Sequence, residues 1–162
     1  MSTFKILVFP KTQMMRVLKD ESNWQEYSIS TAKNGLGEKK NSFQTPRGKH
    51  LIRAKIGAGC QENMVFRGRR LTGECYSEKL RKAHPERQDW ILTRILWLSG
   101  CEIGKNRLGK VDTMQRFVYI HGTPDNIEMG LPGSRGCIRM RNQDIIELFD
   151  YIPCYTFVEI LD

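Results

Sequence analysis

Short apolar or alternating stretches, most of them stopped within a few residues by Pro, Gly or charged residues, constrain this chain more than any other feature. Residues 4–9 form the first, ending in Ile6-Leu7-Val8-Phe9 and halted by Pro10 and Lys11. Residues 14–18, 26–30, 49–56, 91–98, 117–120 and 157–161 repeat the pattern. In 49–56 the alternation puts His50, Ile52, Ala54 and Ile56 on one face. Thr45-Pro46-Arg47-Gly48 and the Gly-rich stretch 34–41 read as turns and loops. Only residues 142–151 carry a helical stripe, with Ile145, Ile146, Leu148 and Phe149 spaced for one face and Asn142 placed to cap it. The expectation is a mostly β fold, sandwich- or barrel-like, with one helix late in the chain.

A length of 162 residues fits one domain, 1–162. The segment 57–88 changes to a charged, irregular composition, so it reads as an insert and a candidate lid. A short helix over 77–84 is expected inside it, with Ser77 as N-cap and Pro85 as stop. The longest apolar run falls far short of the roughly 20 residues that span a bilayer, which excludes a membrane span. The start of the chain shows no signal-peptide pattern, so a cytoplasmic location is expected.

Lys and Arg number 26 against 18 Asp and Glu, a net charge of +8 that favours an anionic partner. The basic residues Arg67, Arg69, Arg70, Lys79, Arg81 and Lys82 come with no aromatic stacking motif and no paired zinc ligands. Nucleic acid is therefore not expected. Three scattered histidines, His50, His84 and His121, have no Asp or Glu at ligand spacing, and neither a metal nor another cofactor is expected. His50 reads as a core or edge residue and His84 as an exposed one. Five cysteines form no CxxC pair, and an odd count without a leader argues for free thiols in a reducing compartment.

One of those cysteines stands in an unusual setting. Tyr119-Ile120-His121-Gly122 ends a strand pattern, and Gly133-Ser134-Arg135-Gly136-Cys137 closes a Gly-rich loop. A thiol there can be ionised by an imidazolium and by the charges of Arg135 and Arg139, and the tight turn can present successive backbone N–H groups to an oxyanion. The residues alone leave a second reading open, a buried thiol beside a turn in a basic binding module.

His121-Gly122, then Gly130-Leu131-Pro132-Gly133-Ser134-Arg135-Gly136-Cys137-Ile138-Arg139-Met140, resembles the signature of the L,D-transpeptidase catalytic domain, the YkuD-like family. Thr45-Pro46-Arg47-Gly48 resembles its upstream turn. The resemblance implies a β-rich catalytic fold with a short helix after the cysteine, acting on the peptide stem of peptidoglycan. It implies Cys137 as nucleophile, His121 as base and the Gly122 carbonyl orienting the imidazole. Backbone N–H groups of Arg135, Gly136 and Cys137 are implied as oxyanion donors, and Ser134 and Arg139 as loop-bracing or substrate-binding residues. The family usually carries His before the glycine of this motif; here Arg135 stands there, which a role through its backbone N–H tolerates.

The implied chemistry is cleavage of the L,D bond before the terminal D-alanine of a stem tetrapeptide through a thioester on Cys137. With a cytoplasmic location the expected outcome is hydrolysis, an L,D-carboxypeptidase of peptidoglycan recycling acting on anionic muropeptides. The alternative is an exported L,D-transpeptidase that forms 3→3 crosslinks. Three structural expectations follow, two from the motif and the third from the charged composition of 57–88. Cys137 and His121 should lie within hydrogen-bond reach at the mouth of a cleft, the thiol should titrate below its free value of about 8.5, and 57–88 should cover the cleft.

Overall fold

Ten strands and two helices appear in the computed structural model, which describes residues 2–162. Strands β1 (Phe4–Phe9), β2 (Met14–Lys19) and β3 (Ser22–Ser30) form an antiparallel meander. Then follow β4 (Gly48–Ile56), β5 (Met64–Arg67), β6 (Arg70–Cys75), helix α1 (Glu78–Ala83) and β7 (Ile91–Gly100). The chain ends with β8 (Tyr119–Thr123), β9 (Ile138–Arg141), helix α2 (Asn142–Tyr151) and β10 (Phe157–Ile160).

The strand order is β4-β10-β1-β2-β3-β9-β8-β7-β5-β6, and β4 also pairs with β7. That pairing closes eight of the strands into a ring and removes their free edges, leaving β5 and β6 as a hairpin hung on the end of β7. Alternate residues of the ring point inward, among them Ile6, Val8, Val17, Ile29, Ile52, Leu98, Ile120 and Met140, all fully buried. Helix α2 adds Ile145, Leu148 and Phe149 to this core, while Ile146 on the flank of the stripe is only partly covered.

Four local expectations are corrected. Asn142 is the first residue of α2 and not its cap: its side chain is turned into the protein, where it donates to Asn63 Oδ1 at 2.8 Å and accepts from Thr93 Oγ1 at 2.6 Å. Strand β9 stands between Cys137 and the helix. His121 is the middle residue of β8 and not its end. The segment 57–88 is ordered around the β5–β6 hairpin, whose two-residue turn, Gly68-Arg69, begins with Gly68 at φ +61°. The helix within it does start at Ser77, whose hydroxyl accepts the Leu80 N–H.

Candidate active site

Strands β8 and β9 run parallel, with Ile120 opposite Ile138 and His121 opposite Arg139. This register carries Cys137, the residue before β9, to the side of Tyr119. The Tyr119 N–H donates to Cys137 Sγ at 3.3 Å, and the thiol donates to the Phe117 carbonyl at 3.5 Å. Tyr119 and His121 are two residues apart on one strand and so share a face. The structure therefore brings Cys137, at the entry to β9, and His121 on β8 to one face at a separation of two residues in register. Their side chains make no direct hydrogen bond among the described residues.

His121 is fully buried. Its Nδ1 lies 2.7 Å from the Gly122 carbonyl, which can only accept, so Nδ1 carries the proton and Nε2 is the basic nitrogen. Nε2 is buried without any hydrogen-bond partner. A buried acceptor left unpaired costs stability, and at a reactive centre it marks a group waiting for a proton.

Gly122 is required by close approach. A Cβ there would stand 2.4 Å from Asn142 Oδ1 and 2.7 Å from the Leu92 carbonyl. Opposite this point β7 shifts register between Leu92 and Ile95, and Thr93 in the shift takes φ +74°, an uncommon conformation for a β-branched residue. Thr93 Oγ1 donates to Asn142 and accepts the Asn63 N–H at 3.0 Å.

The turn before Cys137 is held from inside. Ser134 Oγ donates to the Cys137 carbonyl at 2.5 Å and accepts the Gly136 N–H at 3.2 Å. Thr45, fully buried, donates to the Gly136 carbonyl at 3.0 Å and accepts the Ala32 N–H at 3.0 Å. Gly136 itself adopts φ +130°. One expectation changes here. The Gly136 N–H is already engaged by Ser134, so it is not a free oxyanion donor. Ser134 and Arg139 are both buried with internal partners, Arg139 through Nη2 to Asp89 Oδ1 at 2.8 Å, an arrangement that braces the loop.

The electrostatics also depart from expectation. Burial, with the Asp89 carboxylate second, pushes the Cys137 thiol up to about 12, against smaller opposing effects of the Tyr119 N–H, Arg139 and Arg116. Burial likewise moves His121 down, although Asp89 and the Gly122 carbonyl act the other way. The resting pair is a neutral thiol and a neutral imidazole. The basic loop does not overcome the loss of water around the sulfur.

Cys137 lines a cleft of about 450 Å³ whose other walls include Phe43, Arg69, Arg116, Phe117, Tyr119 and Arg135. The expected lid is thus confined to one point: Gly68-Arg69 at the hairpin tip reaches the cleft, whereas Leu80 and Tyr76 near α1 pack on a separate cluster with Val65, Trp90 and Leu92. A second concavity of about 370 Å³ touches Lys33, Asn34, Gly133, Ser134 and Arg139, and Cys137 is not among its walls.

Sequence reasoning missed Thr45 as a brace, Asp89 as the partner of Arg139, and Arg69 and Arg116 as cleft residues. For Arg69 the Gly68 turn was the available signal; for Arg116 there was none. Arg116 donates to the carbonyls of Gly37 and Gln44 and to Ser42 Oγ, tying loop 37–44 beside Cys137. His50 is buried, bonded to the Gly48 carbonyl and Thr113 Oγ1, and His84 is partly exposed beside Glu86. Among the described residues, no three His, Cys, Asp or Glu side chains are grouped so as to hold a metal ion.

Comparison with known proteins gives a consistent picture. The family model of the L,D-transpeptidase catalytic domain (YkuD) matches residues 3–160. The probable L,D-transpeptidase ErfK/SrfK of Salmonella typhimurium is 53% identical over 47 residues, which are 29% of this chain and 15% of that protein. The putative L,D-transpeptidase YqjB of Bacillus subtilis is 27% identical over 157 residues, covering 97% of this chain and 70% of the relative. Among solved structures, an L,D-transpeptidase from Mycobacterium smegmatis superposes with TM-score 0.60 at 15% identity, over 99% of this chain and 59% of that one. L,D-transpeptidase 3 from Mycobacterium tuberculosis, in complex with a faropenem-derived adduct, gives 0.61 at 10% identity, over 99% and 61%. At these identities the structural likeness shows the fold.

Proposed function

Because the chain belongs to the L,D-transpeptidase catalytic domain family, we propose that it performs cysteine-dependent acyl transfer on peptidoglycan stem peptides, with Cys137 as nucleophile, His121 as base and water as acceptor. The observation that carries this reading is the unpaired, buried Nε2 of His121 two register positions from Cys137, on the same face of the paired strands. As Sγ attacks the carbonyl carbon at the L-centre of the diamino residue, Nε2 takes the thiol proton. Backbone N–H groups of Arg135 and Cys137 face the oxyanion. The C–N bond to the terminal D-alanine breaks, and the imidazolium returns the proton to the leaving amine, giving a thioester. Water then adds to the thioester, Nε2 takes its proton, and the C–S bond breaks to yield a tripeptide and the free thiol.

A neutral resting thiol fits this order of events, since the base acts during attack and no ion pair has to be kept beforehand. The cleft on which Cys137 opens adjoins the neighbouring concavity through Phe43, Asp89 and Arg135, so its walls hold one peptide arm and leave the choice of acceptor to what reaches the thioester. Five free cysteines suit a reducing compartment, where soluble stem peptides would be the substrate.

Intact-mass spectrometry after incubation with faropenem tests the nucleophile. A single adduct on the protein, lost in Cys137→Ala and kept in Cys60→Ala, Cys75→Ala, Cys101→Ala and Cys154→Ala, is the expected result. An adduct that persists in Cys137→Ala overturns the assignment.

A further inference from the structure

Arg69 occupies the tip of the β5–β6 hairpin, and its guanidinium is held on three sides. It lies 4.6 Å from the centroid of Trp97 and 4.9 Å from that of Phe117, and Nη1 donates to Tyr119 Oη at 3.1 Å. The backbone N–H of the same Tyr119 touches Cys137 Sγ. The cation is therefore fixed on the wall of the cleft that Cys137 also lines, the length of one tyrosine side chain from the backbone N–H that touches the nucleophile, with its rotamer freedom already spent against aromatic faces.

What it lacks is an anion. Arg47, Arg81, Arg87 and Arg139 each pair with a carboxylate of this chain. Among the described residues Arg69 forms no such pair, and neither do its cleft neighbours Lys40, Arg116 and Arg135. Asp89 is the one carboxylate on the cleft wall, and Arg139 holds it. A guanidinium pinned in place, with donors left over and surrounded by further unpaired cations, is built to receive a planar oxyanion from outside.

We propose that Arg69 is the receptor for a free carboxylate of the substrate. The inference rests on the acyl-transfer reading of the cleft. A stem tetrapeptide offers the same chemistry from two sources: the C-terminal carboxylate of the leaving D-residue, and the second carboxylate of a diacid diamino residue. Either one makes Arg69 a specificity residue, selecting a chain end in the first case and a diacid third residue in the second.

The test is steady-state kinetics of the whole protein on three tetrapeptides: both carboxylates free, C-terminal carboxamide, and side-chain carboxamide at the diamino residue. For the unaltered protein, one of the two amides should lose roughly 10- to 100-fold in kcat/KM, carried by KM, as expected for one charge-assisted pair. Which amide suffers names the carboxylate. Arg69→Gln should lose the same factor on the free acid and no longer distinguish the amide, and Arg69→Lys should recover part of it. If Arg69→Gln does not fold, Tyr119→Phe removes the hydroxyl that steers Arg69 and should shrink the same discrimination.

Equal amide penalties in the variant and the unaltered protein overturn the role of Arg69, as does the absence of any penalty in the unaltered protein. Normal faropenem labelling of Cys137 alongside either result leaves the acyl-transfer reading standing. No labelling and no turnover of any tetrapeptide by the unaltered protein brings down both.

Discussion

The weakened acidity of the Cys137 thiol makes a quantitative demand on its reactivity. Moving the thiol from its ordinary 9.0 to about 12 leaves roughly a thousandfold less thiolate at any pH below 9. The thiolate that does form is more nucleophilic, by about thirtyfold across three decades of basicity, because reactivity follows basicity with a coefficient near one half. The net expectation is alkylation about thirtyfold slower than that of a free cysteine derivative at pH 7.5. Burial of the sulfur slows it further but does not alter its pH dependence. The assay is site-resolved mass spectrometry of iodoacetamide labelling between pH 6 and 10. The logarithm of the Cys137 rate should climb with unit slope to the top of that range. Asp89→Asn removes the second-largest cause of the shift and frees the positive charge of Arg139, so both changes should speed labelling. A rate that levels off below pH 8.5 would show that the sulfur is an ion-paired thiolate and that His121 is not needed as a base during attack; one unchanged by Asp89→Asn would show that this carboxylate does not hold the thiol neutral.

Three further outcomes follow from the geometry. Gly122→Ala forces a methyl group against Asn142 Oδ1 and the Leu92 carbonyl; thermal or chemical unfolding should show a loss of about 1–3 kcal/mol, and turnover should fall because the carbonyl that orients His121 is displaced. Thr45→Val removes the hydroxyl shared by the Gly136 carbonyl and the Ala32 N–H; leaving those groups unpaired should cost about 1–3 kcal/mol and lower kcat, whereas Thr45→Ser should behave nearly as the unaltered protein. His50, lowered from 6.5 to about 4 chiefly by burial, is charged more readily unfolded than folded. Its contribution is whole above pH 6.5 and is lost as pH falls toward 4, by about 3 kcal/mol, so denaturation curves of His50→Gln should lose that much less between pH 7 and pH 4.

The sequence and the structure agree where local pattern decides. Short apolar and alternating stretches located seven of the eight ring strands, all but β9, and the spacing of Ile145, Leu148 and Phe149 located α2, because both signals live within a few residues. The motif brought Cys137, His121 and Gly122 together for the same reason: they flank two adjacent strands. What escaped depends on residues distant in the chain. Asn142 has the chemistry of a cap, yet Thr93 and Asn63, far away in sequence, claim its side chain. The β5–β6 hairpin hides because neither arm alternates: Met64-Val65-Phe66 is a short apolar run with two adjacent buried residues, and Arg70–Cys75 is mixed and largely exposed. The thiol was expected to be acidic from the charges of Arg135 and Arg139, and burial, which no spacing reveals, moved it the opposite way. Arg69 read as one of several basic residues on a solvated face until Trp97, Phe117 and Tyr119 closed around it.

The central claim, a thioester on Cys137 resolved by water, is tested most directly by product analysis of a stem tetrapeptide. The protein is incubated with the tetrapeptide at rising concentration, and the products are resolved by mass spectrometry, with Cys137→Ala as control. The account expects tripeptide and free D-alanine in equal amounts, no product from Cys137→Ala, and little or no 3→3 dimer even at the highest concentration. Dimer as the main product would contradict water as the acceptor, and tripeptide formed by Cys137→Ala would contradict the thioester itself.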